Sequence, residues 1–504
     1  MTKIFRQCSY QDVVHRFRRL LVNSTFIVGC IFSLQTGPAI AAPPPMTMTV
    51  DSDGPNQEAQ NNNSQDDVLG FMSGISRSSA MLGDMWGLRP WLGQYGMTFD
   101  LEETSEVLGN VSGGIHQSAD YDGLTQMDLQ LDTQRAFGVY GGTFNVSALQ
   151  IHGRSLSADN LGTLQTASGI EGDRATRLWE LWYQQKFLDS DRLDVKIGQQ
   201  SLDQEFMVSQ NANLFVNTMF GWPMLPSADL PGGGPAYPLS ALGARLRAKP
   251  TDSVTIMAGV FNGSPVANNN GDPQQKNPSG LTFPTNGGAL AIAEIQYAYP
   301  ALGSMVSADE SETLSRTYKL GVWYDTENFA DQEYDNTGLS LANPASTGNP
   351  LMHHGDYGIY AVADQMLWHS EDVDDRTLNF FTRAMGTPET DRNLVDFSMN
   401  AGLTLHEPIF GRDDDTFGVG MGYAHISSRA AALDKDMTYF GTYTPARTGE
   451  TYVEATYQYQ ATPWWQLQPD FQYVFNPGAG TLIPGTSQKI GNEAVIGLRT
   501  NILF

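Results

Sequence analysis

From Met97 to its last residue the chain alternates, and the alternation sorts charge to one side. Met97, Phe99 and Leu101 interleave with Thr98, Asp100 and Glu102; Thr125, Met127, Leu129 and Leu131 interleave with Gln126, Asp128, Gln130 and Asp132. Leu242, Ala244, Leu246 and Ala248 oppose Gly243, Arg245, Arg247 and Lys249, and Phe417, Val419, Met421 and Tyr423 oppose Gly418, Gly420, Gly422 and Ala424. A period of two marks β-strands, whose successive side chains point to opposite faces. A soluble sandwich or β-helix with one wetted face alternates as well. Here, however, the polar faces carry Asp, Glu, Lys and Arg while the apolar faces are nearly free of charge, which favours strands with lipid on one side.

Sixteen candidate strands follow, near 97–106, 123–132, 143–151, 178–187, 192–200, 242–249, 253–262, 289–297, 317–324, 357–366, 378–385, 397–405, 416–424, 452–460, 465–474 and 494–504. Those at 143–151, 289–297 and 357–366 alternate poorly. Short connections (188–191, 250–253, 461–464) interleave with long ones (201–241, 263–288, 325–356, 425–451), and 298–316 is long where a short turn is expected. That rhythm matches an outer-membrane barrel, with short periplasmic turns and long external loops. Lipid offers no hydrogen bonds, so strands span it only as a closed ring with every backbone group paired. The expected fold is all-β: a transmembrane antiparallel β-barrel of about 16 strands over residues 96–504, behind a short N-terminal helical segment. Sixteen strands leave room for an aqueous channel.

The N-terminus reads as an export signal. Lys3, Arg6, Arg16, Arg18 and Arg19 precede an apolar stretch from Leu20 to Leu34, and GPAIAAPPP follows, so residues 1–41 form the expected signal peptide with Ala39-Ile40-Ala41 at its cleavage site. Ile27-Val28-Gly29-Cys30 resembles a lipoprotein processing box, but apolar residues continue past Cys30. Arg18-Arg19 is discounted as a twin-arginine signal, because a barrel crosses the inner membrane unfolded. Both cysteines, Cys8 and Cys30, lie in this segment, leaving the mature chain without a disulfide framework or thiolate metal site. Its removal takes away five basic residues and one acid and moves the net charge from −26 to −30. Such acidity argues against a nucleic-acid partner. Residues 42–68 lack hydrophobic periodicity and read as a disordered linker; residues 69–95 turn amphipathic and read as one or two short helices at the periplasmic base of the barrel.

On this strand phase Asp100, Glu102, Glu106, Asp128, Glu180, Trp182, Gln184, Asp194, Lys196, Arg245, Arg247 and Lys319 face the lumen. Acids, bases and an aromatic suit polyhydroxylated solutes: charged groups replace water at the hydroxyls, and an aromatic face covers the apolar side of a sugar ring. The substrate-binding candidates are Arg245, Arg247, Glu180, Trp182, Asp194, Lys196, Asp100 and Glu102. The plainer reading of these charges is that they keep the channel wet and pair with one another, Arg245 and Arg247 with Asp194 for example. Residues 201–241 make a loop too long and aromatic to stand in solvent, and it is expected to fold into or over the lumen, with Phe220-Gly221-Trp222-Pro223 and Pro231-Gly232-Gly233-Gly234-Pro235 fixing its turns. There is no G-x-S-x-G, H-E-x-x-H or P-loop, so neither an enzyme nor a cofactor is expected. His353-His354 reads as incidental, and Arg412-Asp413-Asp414-Asp415 as a solvated periplasmic turn.

Several segments resemble the carbohydrate-selective porin family of OprB type: LGDMWGLRPWLGQYGMTFDLEETSEVLGNVSGG (82–114), TRLWELWYQQKF (176–187), DVKIGQQSLDQEFMVSQNANLFVNTMFGWP (194–223), GGPAYPLSALGARLR (233–247) and GVFNG (259–263). The resemblance implies a sixteen-stranded outer-membrane channel that admits monosaccharides and similar small solutes without energy coupling, narrowed by long loops to an eyelet of charged residues. The partners expected are transported sugars, outer-membrane lipid and lipopolysaccharide, the barrel assembly machinery and, as one option beside a monomer, two further copies in a homotrimer. The rivals are a general or other-substrate diffusion pore (polyols, organic acids) and a non-conducting structural surface barrel. The closing stretch EAVIGLRTNILF places Ala494, Ile496, Leu498, Thr500, Ile502 and Phe504 on one face. It is expected to pair with the first strand, with Ile502 and Phe504 forming an assembly signal.

Overall fold

The computed structural model describes residues 79–188, 191–267, 271–300, 314–370 and 376–504. The expected signal peptide, the linker and residues 69–78 lie outside the described residues. Sixteen antiparallel strands close into one barrel in which each strand pairs with its sequence neighbours and β1 pairs with β16. They are β1 Met97–Gly114, β2 Ala119–Asp132, β3 Gly142–Gly153, β4 Ala175–Phe187, β5 Leu193–Gln200, β6 Ala241–Ala248, β7 Val254–Asn262 and β8 Ala289–Tyr299, followed by β9 Arg316–Asp335, β10 Pro350–His369, β11 Thr377–Gly386, β12 Val395–His406, β13 Thr416–Ile426, β14 Gly449–Thr462, β15 Trp465–Phe475 and β16 Gly491–Leu503. Each candidate strand of the sequence corresponds to one of these, the poorly alternating ones included. The seam closes with Glu102 opposite Leu503 and Glu106 opposite Arg499.

Burial follows the alternation. On β9, Lys319 and Trp323 are buried inside while Leu320, Val322 and Tyr324 are exposed outside. Outward aromatics collect near the strand ends, Phe144, Tyr183, Tyr297, Tyr318 and Trp465 toward the end where β1 begins, Tyr121, Tyr324, Tyr357, Tyr473 and Phe475 toward the other. Such girdles mark the two interfaces of a lipid-spanning barrel.

The connections depart from the expected rhythm in three places. Residues 325–356 are not a loop for most of their length: β9 and β10, at 20 residues each, continue as a paired hairpin to Asp335 and Pro350. Alternation fades there because the extension has no lipid face, while backbone pairing persists. On the long-loop side β1 and β2 are joined by only 115–118. On the short-turn side 133–141 hold a short helix, Thr133–Phe137, where the Asp132 side chain accepts from the amides of Gln134 at 2.7 Å and Arg135 at 3.0 Å. Before β1, the helix Leu88–Gly93 has no buried residue, and the Met81 amide donates to Leu503 O at 2.8 Å.

Inside, the third outer connection, residues 201–240 (L3), packs against the wall opposite β1–β6. Phe206, Phe215, Met219, Phe220 and Leu225 of L3 form one apolar cluster with Trp323, Tyr360, Phe381, Met385, Tyr452 and Val474 of the strands. The inward glycines of β13 make this possible: a Cβ on Gly420 would stand 2.6 Å from the Phe220 ring, and one on Gly418 2.6 Å from Leu214. The glycine stripe of the β13 sequence is the trough into which the loop's aromatics settle.

Candidate functional site

L3 is held by inward polar residues that sequence reasoning does not single out. Arg383 of β11, fully buried, donates to four L3 carbonyls, those of Met207 (3.0 Å), Met219 (2.7 Å), Phe220 (2.5 Å) and Gly221 (2.9 Å), and to Asn400 Oδ1 at 3.0 Å. Glu454 of β14 accepts the amides of Val216 (2.6 Å) and Asn217 (3.1 Å). Asp364 of β10 accepts from Ser209 Oγ at 2.6 Å, and Glu294 of β8 from the Met207 amide at 2.9 Å. Lys319, a lumen candidate, donates to Val208 O at 2.7 Å. A buried loop must place its backbone polar groups somewhere, and these side chains supply the partners. The only sequence signal is their inward phase, which a water-facing residue shares.

Six of the eight binding candidates come together on β4, β5 and β6 beside the start of L3. Lys196 and Arg245 stand directly opposite each other across β5–β6, and Asp194 opposite Arg247. Two cations in register repel. Glu205 of L3, which strand phase cannot nominate because it lies in a loop, resolves the repulsion: its Oε1 is 2.7 Å from Lys196 Nζ and 3.0 Å from Arg245 Nη2. Burial pushes the Glu205 carboxyl up, but Lys196 and Arg245 outweigh it and hold the group far below the usual carboxylate range. Asp194 bridges the two arginines, bonded to Arg245 and, at 2.6 Å, to Arg247 Nε. Trp182 lies under Lys196, whose Nζ is 4.1 Å from the ring centroid, and its Nε1 donates to Glu180 Oε2 at 3.1 Å. Glu180 Oε1 accepts the Ser201 amide at 2.9 Å, where L3 begins.

Asp100 and Glu102 also face inward but on β1, away from this network's strands; Asp100 stands opposite Asp128 of β2. The lumen wall therefore carries acids on β1–β2 and a base-rich cluster on β5–β6. His353, read as incidental, bonds Asp331 at 2.8 Å on the hairpin, and Arg412 of the expected solvated turn is tied to Asp415 at 2.7 Å.

A closed sixteen-stranded barrel, apolar outside, charged inside and crossed by a tethered loop, is a membrane-spanning porin. The chain belongs to the carbohydrate-selective porin family, OprB, whose family model matches residues 116–504. Porin B of Pseudomonas aeruginosa is 23% identical over 456 residues, covering 85% of this chain and 92% of that protein. The putative porin QuiX of Acinetobacter baylyi is 22% identical over 443 residues, covering 84% and 93%. Among solved structures, the high-pH structure of Pseudomonas putida OprB superposes with a TM-score of 0.72 at 24% identity, covering 85% of this chain and 99% of that one. The protein is an integral outer-membrane channel for carbohydrates, and its family is one of channels rather than enzymes.

Proposed function

We propose that this porin passes monosaccharides by unassisted diffusion through a constriction between β4–β6 and the first turn of L3, where Arg247, Trp182 and Glu205 meet the solute. The observation that carries this reading is the graded exposure within one ion network. The Arg247 and Glu205 side chains keep 21% and 17% of their surface, whereas those of Arg245 and Asp194 keep 2% and 3%. Arg245 and Asp194 are thus positioning residues, and the half-buried Trp182 offers its ring to the apolar face of a sugar. Weak, replaceable contacts suit a channel, because a tight site would block flux.

Planar-bilayer conductance with and without glucose tests the proposal. Glucose should reduce ion current in the native protein, and Trp182→Ala with Arg247→Ala should weaken that block while the channel still conducts. Unchanged block in the double variant would place the constriction elsewhere. Equal permeability to sugars, polyols and organic acids of like size would instead support a general pore.

A further inference from the structure

The outward face of the barrel carries one polar constellation where lipid is expected. On β1–β3, Glu103, Ser105, Tyr121, Thr125, Gln150 and His152 all point away from the lumen. Glu103 accepts from Ser105 Oγ at 3.0 Å and from Thr125, and lies 3.4 Å from His152 Nε2. The same His152 nitrogen is 2.9 Å from Tyr121 Oη. Gly123 makes the arrangement possible, since a Cβ there would meet His152 Nε2 at 2.3 Å. The imidazole therefore lies flat across β2 to reach β1, and the patch is level with the sheet.

Its depth is what matters. Glu103 sits four residues from Phe99 and four from Val107, which pairs with Tyr121 of the external girdle. At a rise of about 3.3 Å per residue and a tilt near 40°, that puts Glu103 about 10 Å from either boundary of an apolar band about 25 Å tall. Charge on the lipid face is most costly at mid-depth. Among the described residues the other outward acids and bases of the strands, Arg316, His354, Asp396 and His425, lie near strand ends or on the hairpin.

We propose that this face docks a second copy of the chain in the plane of the membrane. Mid-depth removes it from the reach of lipid headgroups, which leaves protein as the cover. The patch joins an acid, a base, an amide and hydroxyls on one surface, so its donors and acceptors can complement those of an identical face, residue i meeting residue j and j meeting i. Ser105, Gly123, Thr125 and Ala148 keep the surface low enough for two barrel walls to approach.

The test uses the full chain in its own outer membrane. Ser105→Cys places a thiol in the patch, and Val322→Cys places one on the outward face of β9 as the control. A bis-maleimide cross-linker should join Ser105→Cys chains into dimers or larger multiples and leave Val322→Cys chains single. Adding Glu103→Leu and His152→Leu to Ser105→Cys should reduce the cross-linked band to the Val322→Cys level, with heat-modifiable migration and sugar flux retained as proof of folding. Equal cross-linking at both positions overturns the proposal. So does a persistent band after the leucine substitutions, or an adduct whose mass is not a multiple of the chain, which would mark a different protein as occupant.

Discussion

Arg383→Met should release L3 without opening the barrel. The guanidinium makes five hydrogen bonds, all to neutral oxygens, and four of those belong to the loop. Hydrogen bonds to charged groups contribute roughly 1.5–3 kcal/mol each, so five give an upper bound of roughly 7–15 kcal/mol. Burying the cation costs several kcal/mol in return. A net hold of about 3–6 kcal/mol remains, enough to keep the detached loop below about one part in a hundred. Methionine fills much of the same volume but offers the carbonyls no donor, and these then turn toward water in the lumen. The apolar cluster around Phe220 and Phe381 keeps L3 inside the barrel, so the expected phenotype is a mobile constriction rather than an absent one. Liposome swelling should show di- and trisaccharides entering at rates closer to those of monosaccharides, and single-channel records should gain open-state noise. Native size exclusion and native noise in a folded Arg383→Met protein would refute the argument and assign the loop's position to apolar packing alone.

The ion network makes two opposed predictions. Arg245→Ala with Arg247→Ala leaves Asp194 and Glu205 without their arginines, so the zero-current potential under a salt gradient should move toward cation preference. Glu205→Gln leaves Lys196 and Arg245 facing each other unneutralised and should move it toward anions; no change in either would mean the cluster does not border the ion path. In the second outer connection, residues 154–174, burial raises Glu171 to about 7 although Ser155 and Ser157 donate to it. Because its folded value lies above the ordinary 4.5, the stability it lends is complete below about pH 4.5 and lost as pH rises through about 7. Limited proteolysis of 154–174 should accelerate over that window, and Glu171→Gln should abolish the dependence; an unaltered profile in the variant would sink the assignment. Deleting Phe504, whose amide donates to Leu101 O at 2.9 Å and whose carbonyl Arg89 contacts, should lower the yield of inserted barrels while leaving selectivity per channel intact, and normal assembly without it would contradict its role as a signal.

What the sequence discloses and what it withholds follow from one distinction. Strand existence, number and phase are legible because lipid imposes a period-two rule on each segment by itself: Leu320, Val322 and Tyr324 face out whatever the rest of the chain does. Inward positions obey no such local rule. Lys319, Asp364, Arg383 and Glu454 all have the phase of wetted lumen charges, yet each is bonded to L3 at sequence separations from 111 to 238. Whether an inward polar group meets water, a solute or a folded-back loop depends on where that loop goes, and alternation carries no record of it. The same reasoning explains the site. Phase finds Asp194, Lys196, Arg245 and Arg247 but misses Glu205, which makes their in-register cations tolerable, because a loop residue has no phase. The one hint available is energetic rather than periodic. Two cations held opposite each other on neighbouring strands require an anion, and the first acids beyond the end of β5 are Asp203 and Glu205, at the start of the long loop. An inward like-charge pair in register is therefore a pointer to the loop segment that must come back to neutralise it, and in this barrel that segment is the first turn of the constriction.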